Sequence, residues 1–233
     1  MRKIMSKRVV SLLLALLFIV PLMFLATACG ETVATVSTYD ELVEALNGDK
    51  QIVKLEKDID VESVLVVGRK VILDMNGKTL LNSNDLWDKE PNSWSIISVR
   101  ENGDLTIKGN GKIQAKENDC YAIDVMDGGN LAIEDGKFIG NISAVYAYEG
   151  NVKISGGTYS IQQLNDNGVE GPYGQTINIY NQNADKTTVE ITGGVFKNFN
   201  PSDKTDNKDK LVADGYEAVL IEGTTDYKVV KKA

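Results

Sequence analysis

Few residues in this chain can do chemistry, and the gaps are informative. Its 233 residues include no histidine, which removes Ser-His-Asp and Cys-His catalysis and His-ligated zinc. Carboxylates, aromatics and very few arginines remain. Beyond the first 30 residues the arginines are Arg69 and Arg100 alone. When the repeating units described below are aligned, the polar side chains fall into three columns. One column is Ser98, Asp124, Tyr146 and Asn178. The next is Arg100, Met126, Tyr148 and Tyr180, and the third, at a turn, is Glu101, Asp127, Glu149 and Asn181.

The first two columns suit a shallow trough that holds sugar. Aromatic rings stack on the apolar faces of sugar rings, and carboxylates or amides bind hydroxyls. Two enlarged gaps between repeats, Asn84–Trp94 and Leu164–Gly174, are expected at one corner, on either side of the three central units. The first holds both tryptophans, Trp87 and Trp94, and the second holds Tyr173. The ligand-binding candidates are therefore Trp87, Trp94, Arg100, Asp124, Tyr146, Tyr148 and Tyr173. In the plainer reading, outward tyrosines merely suit β-strands and the tryptophans pack loops onto the core. The third column has two readings as well. Glu101, Asp127 and Glu149, stacked one strand apart, repel unless a cation such as Ca²⁺ lies between them. Otherwise they are a solvated turn edge that keeps a stacked sheet soluble. No EF-hand loop or glycine-rich calcium repeat is present, and no other cofactor is implied.

The elements that must position these residues are strands. One amphipathic helix is expected from Ser37 to Gly48. Ser37 or Thr38 caps it, acids fill its first turn, Leu42, Val43, Ala45 and Leu46 form its apolar stripe, and Gly48 ends it. After it a unit recurs: two alternating apolar residues, a Gly/Asp/Asn turn, then one apolar or aromatic residue. It begins at Val71, Leu105, Leu131, Val152 and Val189, with spacings of 34, 26, 21 and 37 residues. Each later unit has a further alternating strand upstream, around Ile97, Ile123, Val145 and Ile177. Periods of this size signal a solenoid whose repeats bury a common core that none could form alone. The expectation is an all-β, right-handed parallel β-helix solenoid over residues 37–233, with the short N-terminal helix capping one end. A pair of strands within Tyr216–Val230 caps the other.

The run Val71-Ile72-Leu73-Asp74-Met75-Asn76-Gly77-Lys78-Thr79-Leu80, following the helix and Leu55–Ile59, resembles the entry into pectate-lyase-like right-handed β-helices of bacterial surface proteins. The Gly-Gly-X-aromatic repeats at 156–159 and 193–196, and Val212–Tyr216, extend the likeness over nearly the whole chain after residue 36. The resemblance implies a fold and leaves activity open, since this fold carries lyases, hydrolases, adhesins and spacers. A polysaccharide lyase would need carboxylates clustered around Ca²⁺ and an Arg or Lys base, for which Arg100 and Asp124 are the nearest pair. A glycoside hydrolase would need two carboxyls about 5–9 Å apart, and Asp124 with Asp127 or Glu149 comes nearest. No motif supports either enzyme. The expectation is binding of a glycan or surface partner without catalysis, with the two enzymes as the alternative.

The N-terminus fixes the expected compartment. Arg2, Lys3, Lys7 and Arg8 precede an apolar stretch from Val9 to Leu25, and Leu25-Ala26-Thr27-Ala28-Cys29 follows. This order is a secretory signal with small residues at its end, and the cysteine directly after them resembles the bacterial lipobox. Residues 1–28 are thus expected to be a lipoprotein signal peptide, Cys29 the lipidated residue and 29–36 a tether. Localisation is extracytoplasmic, with the membrane as a partner through the lipid anchor. The signal holds four of the 25 basic residues and none of the 33 acids, so the remainder carries a net charge of −12. Such a surface disfavours nucleic acid. With Cys29 lipidated, Cys120 is the one free thiol, and it is read as a small buried hydrophobe.

Overall fold

In a computed structural model, the described residues are 31–86, 94–117, 120–164, 175–203 and 211–233. The stretch expected to be a signal peptide, Cys29, Trp87 and Tyr173 lie outside them, as do most residues of the two enlarged gaps. The chain enters through β1 (Val33–Val36), helix α1 (Tyr39–Asn47), β2 (Ile52–Leu55) and β3 (Ile59–Asp60). Five units of three strands follow. They are β4 (Leu65–Val67), β5 (Lys70–Asp74) and β6 (Thr79–Leu81); β7 (Ser95–Val99), β8 (Asp104–Lys108) and β9 (Lys112–Gln114); and β10 (Tyr121–Val125), β11 (Gly129–Ile133) and β12 (Lys137–Gly140). Next come β13 (Ser143–Ala147), β14 (Gly150–Ile154) and β15 (Thr158–Ile161), then β16 (Ile177–Ile179), β17 (Thr187–Ile191) and β18 (Val195–Phe196). The hairpin β19 (Tyr216–Leu220) and β20 (Tyr227–Lys231) closes the order.

Each unit gives one strand to each of three sheets. The first strands build a five-stranded sheet, β4 to β16, and the second strands a seven-stranded sheet that begins at β1 and β2. The third strands build an eight-stranded sheet that begins at β3 and ends on β18, β20 and β19. All neighbours pair in parallel except at the last two joints, β18–β20 and β20–β19, which are antiparallel. The described residues are therefore all-β in class, with one α-helix and three largely parallel sheets.

Register explains the core. Leu105 pairs with Val71 and Leu131, Ile107 with Leu73 and Ile133, and Val152 and Ile154 continue the two rows. All are at most 2% exposed. Burying one such side chain contributes about 1.5–3 kcal/mol. In the eight-stranded sheet the third-strand row runs Leu80, Ile113, Phe138, Tyr159, Phe196. Phe138, Tyr159 and Phe196 stack with ring centroids 5.2 and 4.9 Å apart. The buried Tyr159 hydroxyl donates to the Gly156 carbonyl at 2.7 Å, and burial raises its pKa well above the usual phenol value. Cys120 is fully buried.

Helix α1 forms where expected, with Thr38 as its cap accepting from the Glu41 amide at 3.3 Å. Leu42, Ala45 and Leu46 are buried and Val43 packs partly on the core. No basic residue lies in its last turn, and Arg69, in the bend between β4 and β5, supplies one. Its Nε and Nη2 donate to the Leu46 and Ala45 carbonyls, each at 2.7 Å, meeting the negative helix end. Two features were not expected. Within the stretch read as a tether, Val33–Val36 pairs with β2 and buries Val36. A 3-10 segment, Asn181–Lys186, also lies between β16 and β17, where only a turn was expected.

Candidate functional site

The candidate site lies on the five-stranded sheet. Its strands bring the expected columns together: Asp124 pairs with Ser98 and with Tyr146, and Tyr146 pairs with Asn178. The sheet does not alternate strictly, however. The amides of Ala144 and Val145 both donate to the Thr176 carbonyl, at 3.0 and 3.2 Å, as at a bulge where one residue is extra. Ile96 and Ile97, Ala122 and Ile123, and Ala144 and Val145 are all fully buried as adjacent pairs. Polar residues three apart therefore reach the same face. Ser95 Oγ and Ser98 Oγ both donate to Asp124, to Oδ2 at 2.9 Å and to Oδ1 respectively.

This face is covered around Arg100. Ser95 and Ser98 are 0% exposed, and Arg100 and Asp124 are each 2% exposed, so neither charge lines an open trough as the sequence led one to expect. Arg100 donates to Ser98 Oγ from Nε at 3.0 Å and from Nη2 at 2.6 Å, and also reaches Met126 Sδ at 3.7 Å. Ser98 is thus the link between guanidinium and carboxylate. Buried charges persist when they are paired and hydrogen-bonded. Both of these groups are already engaged.

Further along, the same face carries four half-buried tyrosines in two stacked pairs. Tyr121 stacks on Tyr146 and Tyr148 on Tyr180, each with centroids 4.5 Å apart. Burial, followed by the neighbouring Tyr121, Tyr180 and Tyr148 and then Asp124, raises the Tyr146 pKa far above the usual phenol value. It remains a neutral hydroxyl that donates and accepts, and is no base at ordinary pH. Each stacked pair stays partly exposed. Trp94 adjoins this group: its carbonyl accepts the Tyr121 amide at 2.9 Å, and the residue is 38% exposed.

The acidic column lies at the turns after these strands. Glu101 and Asn102 have φ of 53° and 65°, and Asp127 and Gly128 have 49° and 78°. Gly103 N–H closes the first turn on Arg100 O and Gly129 N–H the second on Met126 O, each at 2.8 Å. Two successive positive φ angles with this closure make a type I′ turn. The residue after each turn sits against the strand below. A Cβ at Gly103 would lie 2.1 Å from Val67 O, and one at Gly129 2.4 Å from Val99 O. Glu101 and Asp127 are exposed, whereas Glu149 pairs with Lys186 at 3.6 Å. Among the described residues, no three Asp, Glu, Cys or His side chains are grouped so as to hold a metal ion.

Sequence reasoning missed Ser95 and Tyr121 because it assumed a period of two. The signal was there as polar-apolar-apolar-polar units at equivalent places: Ser95-Ile-Ile-Ser98, Tyr121-Ala-Ile-Asp124 and Ser143-Ala-Val-Tyr146. Trp87, Tyr173 and the expected meeting of the two enlarged gaps lie outside the described residues. The chain matches no family model, no curated protein and no solved structure.

Proposed function

We propose that this chain is an exported, lipid-anchored protein whose three sheets wind as a right-handed parallel β-helix. It binds a neutral glycan on the tyrosine face of the five-stranded sheet and does not cleave it. The observation that carries this reading is the contrast along that face. Arg100 and Asp124, the nearest pair to a catalytic base and carboxylate, are buried and tied to Ser98. The tyrosines beside them are half-buried and stacked in pairs, so part of each stays at the surface. The fixed order in which each unit visits the three sheets, with parallel pairing, supports the winding. The net charge of −12 beyond the signal favours a neutral sugar over an acidic one.

The test presents the full chain, held in detergent, to neutral and acidic polysaccharides. Retention is followed together with the release of reducing or unsaturated ends. Retention on a neutral glycan without new ends, weakened several-fold by Tyr148→Ala or Tyr180→Ala, is the expected result. New ends that Asp124→Asn abolishes would overturn it. Attachment is tested separately by labelling cells with a fatty acid: Cys29→Ser should lose the label, and an undiminished label would exclude Cys29 as the acceptor.

A further inference from the structure

Strand β1 ends the seven-stranded sheet, with β2 on one side and no strand on the other among the described residues. In a parallel ladder, alternate residues turn their backbone groups toward the same neighbour. The Thr32 carbonyl accepts the Ile52 amide at 3.0 Å and the Val36 carbonyl accepts the Glu56 amide at 2.8 Å. Residues 32, 34 and 36 therefore face β2, and the N–H and C=O groups of Val33 and Thr35 face away from it. Both side chains are exposed, Val33 by 50%. Solvent-facing edges in soluble proteins are ordinarily blunted by lysine, proline, a bulge or a covering segment. The sequence Val33-Ala34-Thr35-Val36 contains none of the residue-level devices.

Beside this edge runs an open groove of about 360 Å³ between β1 and α1. Ala34, Val36 and Ala45 contribute to its lining, and Glu41, Glu44 and Asp49 give it negative charge. Asp49 pairs with Lys50 at 3.6 Å. Residues 31–50 hold five acids and that single lysine. Free backbone groups, an adjoining groove and one sign of charge occur together here. We propose that β1 accepts an extended, lysine- or arginine-bearing segment of a partner protein as an added strand. The segment pairs its backbone with Val33 and Thr35, and its basic side chains reach the carboxylates across the groove. A second copy is a poorer occupant. Residues 211–233, at the opposite end, carry four acids against three lysines, and the outer edge of β19 is partly used, because Ala218 N–H donates to Ser202 Oγ at 3.3 Å.

The full chain in detergent is titrated with a labelled short peptide of alternating lysine and valine. Two controls accompany it: an alternating glutamate–valine peptide, and the lysine–valine peptide N-methylated at every second residue. The first peptide should bind with an affinity that falls as salt rises, and neither control should bind. Thr35→Pro removes an outward N–H without touching the ladder to β2 and should weaken binding about tenfold. Glu44→Lys, on the helix surface, should weaken it comparably, and its unchanged melting curve shows that the fold is kept. Equal binding of the N-methylated peptide would overturn strand addition, and no binding of the lysine–valine peptide would overturn the site. Concentration-dependent self-association that excludes the peptide would hand the edge to a second copy and overturn the proposal as well.

Discussion

The inside of the sheets and the outer face of the five-stranded sheet obey different rules, although the same strands supply both. Inside, the rows through Ile107, Ile133 and Ile154 repeat one apolar type at each level, and every level buries it completely. Outside, the equivalent rows change character from strand to strand: Ser98, Asp124, Tyr146, Asn178. The inside is one solution used at each level. The outside is a sequence of unlike contacts, with a charged pair tied to serine at one end and stacked phenols at the other. Function that depends on specific chemistry belongs on the varied face, while the uniform face supplies the stability to hold it.

The largest effect should come from placing charge in the uniform rows. Ile133→Asp buries a carboxylate with no partner and should cost about 4 kcal/mol or more. Thr106→Asp, outward on the neighbouring strand, should cost less than about 1 kcal/mol. Chemical denaturation of the two variants measures the difference, and equal losses would dissolve the distinction between inside and outside.

A smaller effect should appear with pH. Tyr159 inside and Tyr146 outside both have raised pKa values, caused first by burial. Folding therefore prefers their protonated forms. The stability they contribute is intact below the unfolded phenol value of about 10 and is lost as pH rises beyond it. Tyr159, fully buried, should contribute a slope of up to about 1.4 kcal/mol per pH unit above that value, and the half-buried Tyr146 a smaller one. Unfolding midpoints between pH 9 and 11 should decline, and Tyr159→Phe should flatten the decline. A midpoint independent of pH there would contradict the burial of both rings.

The smallest effect should come from Ser143. Its Oγ is buried with no hydrogen-bond partner, and an unsatisfied hydroxyl is a penalty that folding carries. Ser143→Ala should be neutral or stabilising by up to about 1 kcal/mol, read from its melting temperature. A clear loss would show that the hydroxyl has work to do on this face.

The uniform region was legible in the sequence because period-two patterning and recurrent glycines are local signals. Val125, Ile133 and Phe138 could be placed inside by counting, and Gly103 and Gly129 mark turns whose close stacking tolerates no Cβ. The outer face was only partly legible. The adjacent buried pair Ile96 and Ile97 breaks the alternation, so Ser95 joins Ser98 on Asp124. Burial of Arg100 and Asp124 depends on what lies over the sheet, and strand periodicity carries no information about that. Strand β1 was overlooked because four residues with no partner in sight read as a tether, and its pairing with β2 is non-local.

The account turns on Arg100 and Asp124 being tied into the face as structure, which leaves the tyrosines to bind. A double-mutant cycle with Arg100→Met and Asp124→Leu, followed by denaturant unfolding, tests this most directly. Each single variant removes one charged group from the buried network around Ser98 and should lose about 1.5–3 kcal/mol. Because both groups meet at Ser98, the double variant should lose less than the sum of the two, with a coupling above about 1 kcal/mol. Single variants as stable as the parent, with additive effects in the pair, would contradict the claim and return these two residues to the list of catalytic candidates.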